Sequence, residues 1–125
     1  NDNMVKYIPL ILAGVLLNAI AQILLKKGML SIGYFEFHFE NFFPIIKKVT
    51  NNLYILSGLT SYVISVMIWL LVLARVEVSY AYPFLSVGYV VVTVMGYFIF
   101  QENLSWMRVI GIAVIIVGVL LLSRS

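Results

Sequence analysis

Long apolar runs alternate with short polar breaks along the chain, and four of the runs are long enough to cross a membrane as helices. They cover about residues 7–25, 53–74, 79–100 and 106–122, with a long connecting segment at 28–52. Polar side chains inside the runs are regularly spaced. In the third run Tyr82, Ser86, Tyr89, Thr93 and Tyr97 follow one another at intervals of four, three, four and four. On a helix of 3.6 residues per turn that spacing makes one stripe. Phe84, Val87, Val91 and Phe98 occupy the other side and suit lipid or apolar packing. The uncharged stretch Val78–Gln101 therefore reads as a span that looks into a cavity, with the remaining helices as its walls.

The first run repeats the pattern, with Gly14, Asn18, Gln22 and Lys26 spaced by four and Pro9 at the start, where a missing N–H is tolerated. Lys26 and Lys27 mark its far boundary. In the second run Ser57, Ser61, Ser65 and Trp69 share the same spacing. Serines so placed serve either close helix contact or a cavity lining. Pro83 removes a hydrogen bond near the start of the third run and is expected to bend it. Gly88 and Gly96 would allow another helix to approach. The fourth run has a charge-free core of only 15 residues, Val109–Ser123, so Arg108 and Arg124 are expected to snorkel to the two interfaces. Its only small-residue signal is Gly111 and Gly118, seven apart, which suits contact with a second subunit.

Between the first two spans, Phe35, Phe37, Phe39, Phe42 and Phe43 are interleaved with Glu36, His38, Glu40 and Asn41, and the pair Lys47–Lys48 follows. Such interleaving fits a segment lying in the headgroup region, either as a plain interfacial connector or as a gate over the cavity mouth. His38 reads as an exposed interfacial residue. Residues 1–125 form a single four-helix domain on this reading.

Composition narrows the class. The 125 residues are 63% hydrophobic and 10% charged, with mean hydropathy +1.08, which is the balance of an integral membrane protein. Net charge is +3, as membrane-flanking lysines and arginines produce, and does not call for a nucleic-acid partner. There is no cysteine and a single histidine, so neither a disulfide framework nor a thiolate or histidine metal site is expected. The first apolar run is too long for a cleavable signal peptide and lacks a small-residue cleavage pattern. Met4 is the expected native start, and Asn1–Asn3 are given no function. Counting cations beside the spans gives Lys6, Arg75 and Arg124 on one face against Lys26, Lys27, Lys47, Lys48 and Arg108 on the other. That bias favours the long linker on the cytoplasmic side.

No nucleotide loop, dinucleotide glycine pattern, metal-ligand cluster or nucleophile–base pair is present, so no cofactor and no enzymatic reaction are expected. The carboxylates Asp2, Glu36, Glu40, Glu77 and Glu102 all lie at ends or in loops. A carrier that exchanges protons through a buried carboxylate needs one inside a span. Amides, phenols and hydroxyls remain for the interior. They suit hydrogen bonding to sugar hydroxyls, and their rings suit stacking on a sugar face. Lys26 reads either as a boundary lysine against lipid headgroups or as the cation that meets a phosphate.

Met67–Leu73, then Ala81-Tyr82-Pro83-Phe84-Leu85-Ser86, closely resembles the small subunits of the aminoarabinose–phospho-undecaprenol flippase of Gram-negative bacteria. Gln101-Glu102, the Gly111–Gly118 segment, Gln22 and Lys26 continue the resemblance, which covers nearly the whole chain except the linker. More broadly the chain is similar to four-helix members of the drug/metabolite transporter superfamily, related to small multidrug resistance proteins. The resemblance implies an all-α, four-helix small multidrug resistance/EamA-like bundle in the bacterial inner membrane. It implies a flippase subunit that moves a polyprenyl-phosphate-linked sugar, working as a homodimer or as a heterodimer with a sister four-helix subunit. Substrate-binding positions would then be Asn18, Gln22, Lys26, Trp69, Tyr82, Ser86, Tyr89, Thr93 and Tyr97, with Gly111 and Gly118 at the subunit contact. Asn18 stands where small multidrug exporters carry a buried glutamate, which counts against proton–drug exchange. Arg75 and Glu77 depart from the flippase pattern and leave the sugar open. The alternative is a small multidrug-type exporter of small molecules.

Overall fold

A computed structural model describes residues 2–125; Asn1 lies outside the described residues. The protein is all-α. It comprises α1 (Asp2–Val5), α2 (Ile8–Ile32), α3 (Phe42–Thr50), α4 (Leu53–Leu73), α5 (Val78–Ala81), α6 (Leu85–Phe100) and α7 (Trp106–Ser123). Short 3₁₀ turns occupy Phe39–Asn41 and Tyr82–Phe84. Four segments are long and apolar enough to cross a bilayer: Asn3–Ile32, Leu53–Leu73, Val78–Phe100 and Trp106–Ser123.

Local chemistry sets the ends. Pro9 sits in the first turn of α2, and Gly33 stops that helix with φ 88°, a conformation open to glycine. The helix therefore runs past Lys26 and Lys27. A lysine side chain does not end a helix, because its long apolar stem can lie along the surface while the charge reaches water. Asn52 caps α4, its Oδ1 accepting the Ile55 N–H at 3.1 Å, and Ser105 caps α7 through the Arg108 N–H at 3.3 Å; such caps are each worth about 1 kcal/mol. Pro83 lies in the 3₁₀ turn that separates α5 from α6, so the third span is broken where proline denies the backbone an N–H.

Packing is centred on α2, with α4 and α6 against it and α7 against α6. Close contact between α2 and α4 depends on absent side chains. A Cβ at Gly58 would stand 3.0 Å from Leu25 and 3.1 Å from the carbonyl oxygen of Ala21. The core gathers at one end, where Ile11 and Val15 of α2 meet Val72, Val76, Tyr80, Ala81 and Phe84. Tyr80 donates its hydroxyl hydrogen to the Ser123 carbonyl at 2.9 Å, tying the end of α7 to this core. At the other end of α6 the expectation for Gly96 is corrected. Its open side receives the Glu102 carboxylate, folded back over the last turn, and not another helix. Gln101 makes this possible by turning the chain in the left-handed region, φ 55°.

The linker is only partly irregular, since its first five residues extend α2 and its last part is α3. Phe37 and Phe39 project outward, 93% and 86% exposed. His38 is exposed too, its Nε2 lying 2.8 Å from Glu36 Oε2.

Candidate functional site

Two clefts open on either side of α2 and meet at Asn18 and Leu85. The larger, about 500 Å³, lies between α2 and α6 and is lined by Asn18, Gln22, Tyr89 and Thr93 against Val15, Ala19, Leu85, Gly88 and Val92. Gly88 lets α6 lie close to α2, since a Cβ there would stand 3.3 Å from Val15 Cγ1. The smaller, about 260 Å³, lies towards α4, and its polar lining is Asn18, Tyr62, Ser65, Trp69 and Tyr82.

Helical spacing explains each wall. Asn18 and Gln22 are one turn apart on α2, as Tyr89 and Thr93 are on α6, so each pair presents one face. On α4, Tyr62, Ser65 and Trp69 stand at i, i+3 and i+7. The stripe expected from Tyr82 to Tyr97 is divided. The 3₁₀ turn at Pro83 resets the helical register, so Tyr82 lines the smaller cleft and Tyr89 and Thr93 the larger. Ser86, Tyr97 and Lys26 line neither cleft. Tyr97 packs its ring edge-on to Phe98, with centroids 5.1 Å apart. Lys26 is exposed one turn beyond Gln22. Gly111 and Gly118 are exposed, with no described residue within 4 Å of a Cβ at either position.

Sequence reasoning passed over Tyr62. Its signal was the seven-residue interval to Trp69, two aromatic rings on one helical face. Of the four-spaced series on the second span, Ser57 and Ser61 line neither cleft. Ser65 is 3% exposed and its hydroxyl donates to the Tyr62 carbonyl at 2.6 Å, which satisfies it within its own helix.

Chemically the paired clefts are neutral and rich in unused hydrogen-bonding groups. Among the described residues, the amides of Asn18 and Gln22 and the phenols of Tyr62, Tyr82 and Tyr89 have no hydrogen-bond partner in the protein. Thr93 donates to the Tyr89 carbonyl at 2.7 Å and keeps its oxygen as an acceptor. Among the described residues, no carboxylate, lysine or arginine lines either cleft. Such a surface can hydrogen-bond a neutral polyol and lay rings against it.

The EamA-like transporter family matches the chain over residues 3–124. A Proteus mirabilis protein named as probable 4-amino-4-deoxy-L-arabinose-phosphoundecaprenol flippase subunit ArnF is 37% identical, covering 91% of this chain and 89% of that protein. A Pseudomonas savastanoi protein named as probable subunit ArnE of the same flippase is 32% identical over 66% of this chain and 73% of its own length. A Pseudomonas fluorescens ArnE protein is 46% identical over a shorter stretch, 49% of this chain and 54% of that protein. No solved structure matches. A match that runs nearly from end to end, on four apolar helical spans, shows that the chain belongs to the EamA-like transporter family, as a multi-pass protein of the bacterial inner membrane.

Proposed function

We propose that the protein is a subunit of a flippase that carries a polyprenyl-phosphate-linked sugar across the bacterial inner membrane. The family is one of transporters. The relatives named ArnF and ArnE supply the substrate class. One observation of this chain carries the reading further: the clefts around Asn18 hold amides, phenols and an indole, and no charge. Moving a sugar through the bilayer requires polar groups to replace its water, and uncharged donors and acceptors do so without burying an ion.

Asn18 sits at the junction of the clefts and bonds the sugar from either side. Gln22, Tyr89 and Thr93 contact it in the larger cleft, Trp69 and Tyr82 in the smaller. Lys26 follows Gln22 by about 6 Å along α2, a separation suited to the phosphate of a lipid whose sugar lies in the cleft. Ser86 and Tyr97 complete the stripe where a partner subunit closes it. That partner, a second copy or a sister subunit, packs on the Gly111–Gly118 face of α7.

The test is flipping of a polyprenyl phosphate sugar by the reconstituted protein, alone and with a sister subunit, with and without a pH gradient. Flipping that survives collapse of the gradient and falls with Asn18→Ala is expected. Drug-for-proton exchange by the unmodified chain, without flipping, would assign it instead as a small multidrug-type exporter.

A further inference from the structure

Another polar cavity, shallow and open to its surroundings, lies away from the Asn18 clefts, at the end of the bundle where α2 stops and α4 begins. It measures about 510 Å³ and is lined by Ser31, Ile32, Lys47, Lys48, Asn51 and Asn52. Its frame is fixed. Asn52 Nδ2 donates to Ser31 Oγ at 2.7 Å and to the Gly28 carbonyl at 3.4 Å, while Oδ1 caps α4. Gly28 has no room for a side chain against Ile55, so the two helices are pressed together here.

On this frame the remaining polar groups are unspent. Among the described residues, the Asn51 side chain makes no hydrogen bond and neither Lys47 nor Lys48 has a carboxylate partner. Among the described residues, no acidic residue lines the cavity. The first turn of the 21-residue helix α4 adds the positive end of a helix dipole. Lysines in the last turn of α3 also offset the negative end of that short helix. That accounts for their charge, but not for two cations and an open amide gathered on one shallow, open surface. An anion is the ligand such a surface suits.

The neighbouring face of α3 indicates where the anion comes from. Phe42, Phe43 and Ile46 are 52%, 73% and 42% exposed. Exposed rings followed by paired lysines describe a short helix lying at the membrane surface, rings towards the acyl chains and lysines at headgroup level. The anion at that level is a lipid phosphate. We propose that Lys47, Lys48 and Asn51 form a docking site for the phosphodiester headgroup of a lipid, separate from the central clefts. Ile32 lies ten residues beyond Gln22 on α2, about 15 Å along the axis, so a headgroup held here is outside the clefts. This deepens the flippase reading by naming where its lipid first docks, and it is measured by binding, not by transport.

The full chain in detergent is titrated with fluorescent phosphatidylglycerol, with a short-chain polyprenyl phosphate sugar, and with inorganic phosphate. Lys47→Gln with Lys48→Gln should weaken binding of the polyprenyl phosphate sugar about tenfold, the loss of charge-assisted hydrogen bonds of ordinary strength, and an effect on phosphatidylglycerol alone would overturn the site as the place where the flippase's lipid docks. Asn51→Ala should weaken binding of the sugar lipid severalfold, Lys6→Gln not at all, and Lys47→Arg with Lys48→Arg should retain it, which separates lost charge from lost fold. Inorganic phosphate should compete only at far higher concentration. Unchanged lipid affinity in the double glutamine variant, or inorganic phosphate binding as tightly as lipid, overturns the site. Lysine-dependent binding without flipping keeps the docking site and removes the flippase reading. Flipping with lysine-independent binding does the reverse.

Discussion

α2 and α7 are both apolar membrane spans, yet one is enclosed and the other stands at the edge. α2 buries Ile11, Gly14, Val15, Ala19, Ala21 and Gly28 between α4 and α6, whereas α7 buries no residue. Both carry glycines. Those of α2 meet Ile68 and Ile55 of α4, while Gly111 and Gly118 of α7 have open space in front of them. Small residues let helices approach, but they draw nothing together unless a partner surface is present. The difference also sorts the polar chemistry. Asn18 and Gln22 lie on the helix with neighbours on two sides, where clefts can form, and α7 carries no polar group between Arg108 and Ser123.

The strongest way to break the contrast is to fill a contact of the enclosed helix. Gly58→Leu places atoms where Leu25 and the Ala21 carbonyl already are. Overpacking against backbone should destabilise by about 1–3 kcal/mol, read as a lower unfolding midpoint in detergent. Gly118→Leu in the isolated chain should shift that midpoint by less than about 0.5 kcal/mol. Equal effects at the two glycines would mean that α7 is packed within the single chain.

Next in size is the loss of polar groups from the clefts. Asn18→Ala and Tyr89→Ala should each lower flipping about tenfold, the cost of one or two hydrogen bonds to substrate. Phe98→Ala is the proper control, because Phe98 is 74% exposed and its loss leaves the bundle intact. Phe84 would mislead, being 3% exposed within the core. If Phe98→Ala harms flipping as much as Asn18→Ala does, the clefts are structural.

The edge helix can be sharpened in turn. Gly111→Leu with Gly118→Leu should abolish cross-linking between subunits while leaving the helical content of the monomer unchanged. Undiminished cross-linking would move the subunit contact elsewhere.

Much of this was legible within single stretches of the chain. The four spans follow from the length of the apolar runs, the bend from the N–H that Pro83 lacks, and the Asn18–Gln22 and Tyr89–Thr93 pairs from spacings of four, because one helix determines its own faces. Relations between helices were not. Nothing in one run of residues says that Tyr82 turns to α4 while Tyr89 turns to α2, since that depends on a register change at a 3₁₀ turn. Charge and helix end are separate signals at the end of the first span: Lys26 and Lys27 read as its polar boundary, while the helix itself continues to Gly33, where the backbone stops it. Gly96 suggests a helix contact from sequence because the chain that covers it, through Glu102, comes from a turn and carries no periodic signal.

The smallest effect separates the two adjacent lysines, and it tests whether the polar stripe of α2 continues beyond the clefts. A step of one residue turns a side chain by about 100° around the helix, so Lys26 and Lys27 cannot share a face. Lys27 Nζ lies 5.2 Å from the centre of the Tyr54 ring on α4. An exposed cation–π contact of this kind is worth about 0.5–1 kcal/mol. Lys27→Ala should therefore lower the unfolding midpoint slightly and leave flipping unchanged. Lys26 has no ion-pair or ring partner among the described residues, so its removal should not move the midpoint. In the proposed transport position it meets the lipid phosphate one turn above Gln22. Lys26→Ala should then slow flipping severalfold, with Lys26→Arg restoring most of the rate because a guanidinium also binds phosphate. A midpoint change at Lys26 without a change in flipping would place its role in the fold and end the polar stripe at Gln22.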